Sequence, residues 1–231
     1  MKKMTGLVLI LLLAGGAVSA QEGADALLDK IKAKYNSVKD YEASARMKTN
    51  VAFIKAPVAN IKIFYKNPDK IRIKNESGIS FIPKGSVNIN MGNVFSLKKY
   101  TTLDAGTETW NGKPVRVIKV LPDDDDADIV LSTLYINETD QLVVKSKTTT
   151  KENGTYELEM TYGKFISYGL PDKIKFSFNT KDYKLPKGVT FDYDNGSSSK
   201  PADKLKDKKG TVEIVYSSYI VNKGLSDDIF K

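Results

Sequence analysis

Between Ala24 and Val38 the apolar residues fall at Ala24, Leu27, Leu28, Ile31, Tyr35 and Val38, a stripe along one face of a helix with lysines on the other. Glu22 and Asp25 stand near its start and Lys34 and Lys39 near its end, the order that the helix dipole favours. After Tyr41 the period drops to two. Ile61, Ile63 and Tyr65 alternate with Lys62, Phe64 and Lys66, Asn67-Pro68-Asp69 turns the chain, and Ile71 and Ile73 alternate with Lys70, Arg72 and Lys74, which predicts a β-hairpin. Alternation also marks Val87, Ile89 and Met91; Val115, Val117 and Val120; Tyr156, Leu158, Met160 and Tyr162; Ile174, Phe176 and Phe178; and Val212, Ile214 and Tyr216. Turn residues separate these runs at Asn111-Gly112, Asn137-Glu138-Thr139-Asp140, Asn153-Gly154 and Gly169-Leu170-Pro171. Ile129 to Ile136 is apolar on both faces and predicts a strand covered on both sides. The expectation is a mainly β (α+β) chain of roughly ten to twelve antiparallel strands with short connections. Residues 194–210 break the pattern. They are polar and turn-rich, with Leu205 the single large apolar side chain, and predict a mobile insertion between the last two strands.

Such a sheet needs more cover than one helix supplies. Ten strands at about 4.8 Å spacing make a sheet about 48 Å wide, whereas a 15-residue helix is about 22 Å long and about 10 Å across. The apolar face must therefore curl on itself or split into a packed sandwich. Curling leaves a lumen, because about eight strands already enclose space that side chains just fill or that holds one small ligand. The arithmetic allows either arrangement.

The first twenty residues stand apart. Lys2 and Lys3, the apolar run Leu7 to Leu13, and Ala17-Val18-Ser19-Ala20 follow the charged, apolar, small-residue order of a secretory signal, with cleavage expected after Ala20. That leaves 231 − 20 = 211 residues, expected to form one domain over 21–231. The apolar run is well short of the roughly 20 residues of a spanning helix, and no cysteine follows it to carry a lipid anchor, so the mature chain is expected to be soluble, untethered and periplasmic in a Gram-negative-type cell. Without Lys2 and Lys3 there are 36 − 2 = 34 basic residues against 28 acidic ones, a net charge of +6. The lysines are scattered among acids along the strands rather than clustered with aromatic residues, so nucleic acid is not an expected partner. With neither Cys nor His, the chain has no thiolate nucleophile, no Ser-His-Asp triad and no His- or Cys-built zinc site; no cofactor or metal is expected.

The order of elements resembles the LolA/LolB-like superfamily of periplasmic lipoprotein and lipid carriers. The resemblance rests on a signal peptide and one amphipathic helix ending in Tyr35-Asn36-Ser37-Val38-Lys39-Asp40-Tyr41. A strand pair joined through Tyr65-Lys66-Asn67-Pro68-Asp69-Lys70-Ile71-Arg72-Ile73 follows, and later Glu108-Thr109-Trp110-Asn111-Gly112-Lys113-Pro114-Val115 leads into a strand ending at Leu121-Pro122. It is diffuse over nearly all the mature chain. It implies an unclosed antiparallel barrel whose N-terminal helix packs on the concave side over an apolar cavity that receives acyl chains. Two positions depart from the family pattern: Asn67 stands where many such carriers have an arginine before the hairpin proline, and Asn75 to Pro83 replaces an Asp-Gly segment followed by aromatics.

Three groups of residues could carry chemistry. Asp123 to Asp126 with Asp128 offer oxygens to Ca²⁺, but consecutive carboxylates in an extended chain point to opposite sides and no glycine wraps a loop, so a solvated hairpin tip is expected. Glu157 and Glu159 share one strand face, a spacing compatible with paired carboxylate catalysis, yet their apolar neighbours take the inner face and leave them toward solvent. Trp110, one residue before the Asn111-Gly112 turn, and the strand-flanking tyrosines could form an aromatic rim at a cavity mouth. The expected function is a non-enzymatic periplasmic carrier that buries the acyl chains of a lipoprotein or lipid against Ile61, Ile63, Ile71, Ile73, Val87, Ile89, Phe176 and Phe178, with Trp110 at the rim, and carries them toward the outer membrane. The expected partners are those acyl chains, inner-membrane release machinery and an outer-membrane acceptor; the chain is expected to be a monomer. The alternative is a lipid-sensing or protein-interaction module of the envelope with no transport role.

Overall fold

A computed structural model describes residues 23–50, 58–68, 70–76, 94, 97, 99–152, 154–179 and 209–230. The signal sequence, Val87, Ile89 and residues 194–208 lie outside the described residues. One helix, α1 (Ala24–Asn36), precedes ten strands: β1 (Asp40–Asn50), β2 (Ala59–Lys66), β3 (Lys70–Asn75), β4 (Tyr100–Trp110), β5 (Lys113–Pro122), β6 (Ile129–Asn137), β7 (Leu142–Thr150), β8 (Gly154–Thr161), β9 (Lys173–Asn179) and β10 (Lys209–Val221). Lys209 and Gly210, which the sequence pattern assigns to the insertion, begin the last strand.

The strands form one antiparallel sheet in the order β3-β2-β1-β10-β9-β8-β7-β6-β5-β4. Two meanders, β1 to β3 and β4 to β9, are joined by β10, which lies between β1 and β9. The edges β3 and β4 do not pair with each other, so the barrel stays unclosed. Local chemistry makes the predicted turns: Asn111 and Gly112 adopt φ of 49° and 75°, the left-handed pair that a two-residue hairpin requires. The Asn67-Pro68 bond is cis.

The inner face carries the core, with Ala43, Ile61, Ile63, Ile118, Leu134, Leu158, Ile174, Phe176 and Ile214 all buried, and α1 adds Leu27, Leu28 and Ile31 to it. The helix thus packs on the concave side, as the resemblance implies. Polar groups are admitted there on β6 and β7, where the Ser132 and Thr148 hydroxyls bond each other and Ser146 Oγ is buried with no hydrogen-bond partner among the described residues.

On the outer face the cross-strand register aligns charges of alternating sign. Lys48 stands opposite Glu213, Glu213 opposite Lys175, Lys175 opposite Glu159, and Glu159 opposite Lys145. Diagonal and direct ion pairs follow, Lys173–Glu213 at 2.7 Å, Lys175–Glu159 at 3.1 Å and Lys145–Glu157 at 3.7 Å. The charges on this face are therefore largely paired, and Glu157 and Glu159 are held by lysines rather than by each other.

Two expectations about faces are corrected. β6 is covered on one side only: Ser132, Leu134 and Ile136 are buried, while Val130 on the outside is 49% exposed. β5 is covered on both sides instead, with Val115, Arg116, Val117 and Ile118 all buried. Val117 sits opposite Tyr135, whose ring leans toward Trp110 with centroids 6.5 Å apart. Val115 and Val117 therefore face outward beneath neighbouring aromatic side chains, whereas Ile118 and Val120 belong to the core. Arg116, on the same face as Ile118, is 3% exposed and clamped between Asp104 Oδ2 at 2.6 Å and Glu138 Oε1 at 3.0 Å. Hydrogen bonding from Arg116, then from the Gly106 N–H, holds the Asp104 carboxyl below its ordinary value.

Candidate functional site

Between α1 and the inner face lies a cavity in which the space open to the centre of a water molecule is about 70 Å³. Its wall draws on the continuous run β3-β2-β1-β10-β9-β8-β7, closed above by Ile31, Lys34 and Tyr35 of α1 and at one side by Gly169, Leu170 and Pro171 of the β8–β9 connection. Ile63, Ile71 and Ile73 supply the wall from β2 and β3, and Ile174, Ile214 and Met160 supply it from the centre of the sheet. Gly169 ends a 3₁₀ turn (Ile166–Tyr168) at φ 67°, and a side chain there would meet Leu142 Cδ2 at 3.5 Å and Lys34 Cγ at 3.7 Å. Such contacts are ordinary, so it is the left-handed backbone rather than a lack of space that favours glycine here.

Tyrosines make the floor. β10 carries one extra residue relative to β1: Ser44 pairs with Ser218, but Ala45 pairs with Tyr216. This bulge turns both Tyr216 and Tyr219 inward, against strict alternation. Their rings stack at 4.9 Å, Tyr41 meets Tyr219 edge-on at 5.3 Å, and Tyr65 stacks on Tyr41 at 5.1 Å. Tyr219 Oη donates to Pro171 O at 2.8 Å and Tyr162 Oη to Val143 O at 2.8 Å. Burial pushes the phenols of Tyr41, Tyr162, Tyr216 and Tyr219 above their ordinary value, so all four remain neutral donors.

The helix that covers the cavity is held by its buried Leu27, Leu28 and Ile31 and by side-chain bonds at its ends. Thr102 Oγ1 donates to Asp25 Oδ1 at 2.7 Å at one end, and Lys34 Nζ donates to Asp140 O at 2.9 Å at the other. At the end of the helix Asn67 donates from Nδ2 to Asn36 Oδ1 at 3.3 Å and Val38 O at 3.4 Å, tying the β2–β3 hairpin to it. Asp40 and Asn222 complete this junction: the Asp40 carboxylate accepts from the Lys223 and Gly224 N–H groups, and Asn222 Oδ1 accepts from Lys39 N–H at 2.7 Å.

Of the residues expected to line a cavity, Ile63, Ile71 and Ile73 do so. Ile61, Phe176 and Phe178 are buried on the same concave face but belong to the packed core beside it. Trp110 is not in the wall. It lies with Lys145 Nζ 4.4 Å from its ring centroid, beside the outward-facing ladder. Val87 and Ile89 lie outside the described residues. The sequence reading missed Tyr41, Tyr219, Leu142 and Val143. For Tyr219 and Val143 a bulge shifts the face, and no local pattern announces that. The Asp123 to Asp126 run forms a turn in which Asp124 Oδ1 accepts from the Asp126 N–H at 2.9 Å and Asp123 Oδ1 from Thr101 Oγ1 at 2.9 Å.

No protein-family model matches the sequence, and no curated protein matches it. Solved structures match its fold. A LolA superfamily protein from Nitrosomonas europaea superposes with a TM-score of 0.57 at 11% identity, covering 91% of this chain and 98% of that one. A DUF1329 family protein from Desulfovibrio piger gives 0.54 at 14%, covering 90% and 96%. A domain from Vibrio parahaemolyticus, assigned to outer membrane lipoprotein sorting, gives 0.53 at 13%, covering 89% and 94%. The chain therefore has the LolA-like fold over nearly its full length. Among the described residues no helix is long and apolar enough to cross a membrane.

Proposed function

We propose that this chain is a non-enzymatic periplasmic carrier that takes up the acyl chains of a lipoprotein or lipid between α1 and the concave face and delivers them toward the outer membrane. The observation that carries the proposal is the apolar cavity between α1 and the concave face, covered by a helix whose ends are tied to the sheet through Thr102, Asp140 and Asn67. The LolA-like fold and the secretory pattern of residues 1–20 support the compartment.

The cavity as it stands has room for roughly five water molecules. Pockets for drug-sized ligands run to roughly 300–1,000 Å³, so a long chain enters only as α1 swings away. Each buried methylene contributes about 0.8 kcal/mol, so a dozen carbons supply about 10 kcal/mol against the entropy of association, provided that Leu27, Leu28 and Ile31 repack on the bound chain rather than being left in water.

Calorimetric titration with saturated acyl chains of eight to sixteen carbons tests this. Affinity should rise with chain length and saturate near one ligand per protein. Ile73→Gln, on the half-buried edge strand, should weaken binding about tenfold, because a polar amide would face the chain. Lys175→Ala, on the outer face, should leave it unchanged. Equal binding by both folded variants, or no binding by the parent chain, would remove the cavity from consideration.

A further inference from the structure

Among the described residues, Lys34 is the single cationic residue of the cavity wall. It projects from the last turn of α1, half-buried, and its ammonium donates to the backbone carbonyl of Asp140. Among the described residues no carboxylate lies within ion-pair distance of it. The Asp140 carboxylate accepts instead from Asn137 Nδ2 at 2.7 Å, and Glu138 is taken by Arg116 at 3.0 Å. The lysines of the outer face contrast with this: Lys62, Lys145, Lys173 and Lys175 each face a glutamate.

An ammonium has three N–H donors, and one carbonyl occupies one of them. The remaining two are left for another acceptor, and Lys34 and Gln141 both line the apolar space. Ile63, Ile71 and Ile73 in the same wall present hydrocarbon alone. A ligand that satisfies both ends carries negative charge at one end and grease along the rest.

We infer that the cavity is selective for a single-chain amphiphile with an anionic head, a carboxylate or a phosphate, whose head pairs with Lys34 while its chain runs over Ile63, Ile71 and Ile73. This rests on the acyl-binding reading above and adds to it the chemistry of the head. It separates the natural ligand from an uncharged acylated peptide terminus.

The test is a set of ligands with one chain and different heads: decanoate, decyl phosphate, decanol and decyltrimethylammonium, titrated calorimetrically at pH 7.5 below their micelle concentrations. The parent protein should bind at least one of the two anions about tenfold more tightly than decanol, with the cation weakest. A preference for decanoate points to free fatty acid and a preference for decyl phosphate to a phospholipid-type head; either supports the inference. Lys34→Gln keeps a donor for Asp140 O but loses the charge, and it should bring anion and alcohol within about twofold; Lys34→Arg should retain the preference. Equal affinity of the parent protein for anions and decanol, or an anion preference that survives Lys34→Gln, overturns the inference while leaving the acyl cavity intact. No binding of any of the four overturns the carrier reading on which it rests.

Discussion

Replacing Gly210 by alanine probes the packing beside the cavity most directly. Gly210 sits opposite Phe178 in the β9–β10 ladder, and an added Cβ would stand 2.5 Å from Phe178 Cζ, 2.8 Å from Cε2 and 3.0 Å from Cε1. Carbon atoms pack at about 3.5–4.0 Å, so the ring must move by about 1 Å. It has little room, being 7% exposed with its centroid 5.2 Å from that of Phe176. An unobstructed glycine-to-alanine change in a strand stabilises by roughly 0.5–1 kcal/mol, while overpacking a core costs about 1–3 kcal/mol. Steric cost wins, and Gly210→Ala should destabilise by about 1–2 kcal/mol, lowering Tm by roughly 2–8 °C for a domain of this size. Phe178→Leu alone should also destabilise, through lost burial. In the Phe178→Leu background, however, Gly210→Ala should be neutral or stabilising, giving a coupling of about 1–2 kcal/mol in a double-mutant cycle. Urea unfolding of the four proteins measures this. An additive cycle, or a Gly210→Ala protein more stable than its parent, would show that the ring is not seated on the glycine.

Three further outcomes follow from the geometry. Tyr219→Phe should cost about 1–3 kcal/mol by orphaning Pro171 O, whereas Tyr41→Phe, whose hydroxyl has no hydrogen-bond partner among the described residues, should cost less than about 0.5 kcal/mol; thermal melts showing the reverse order would contradict the hydrogen-bond assignment. Asp40→Ala leaves the Lys223 and Gly224 N–H groups without their acceptor and should lower stability by about 1–3 kcal/mol, and an unchanged urea midpoint would refute this. Hydrogen bonds from Lys66 and then Lys70 lower the Asp227 carboxyl to about 2. Because its folded value lies below the unfolded one of about 3.9, its contribution is present above that value and is lost as pH falls through about 2. The 3₁₀ turn Asp227–Phe230, which Arg72 also holds through Ile229 O at 2.7 Å, should keep its amide protection at pH 4 and lose part of it near pH 2; NMR titration showing release already at pH 4 would contradict the pairing.

Periodicity along the chain determined the elements. The stripe from Leu27 to Ile31 specifies a helix with one buried face, the alternation at Ile61, Ile63, Ile71 and Ile73 specifies a hairpin with its apolar side inward, and Asn111-Gly112 specifies its own turn, because each rests on residues close in sequence. Three of the expected cavity residues were legible for the same reason. The tertiary structure alone decided the rest. Nothing local places β10 between β1 and β9, since its ladder to β1 joins residues about 170 positions apart, such as Tyr219 with Ala43. A bulge is defined only against a partner strand, so the extra residues that turn Tyr219 and Val143 inward leave no mark in the pattern of either strand by itself. Trp110 joined the outer face because the pairing of β4 with β5 set its side, and β5, rather than β6, was covered twice because large side chains on its neighbours reach over it. Side-chain alternation is a property of one strand, whereas the face that becomes a cavity is a property of the register between strands.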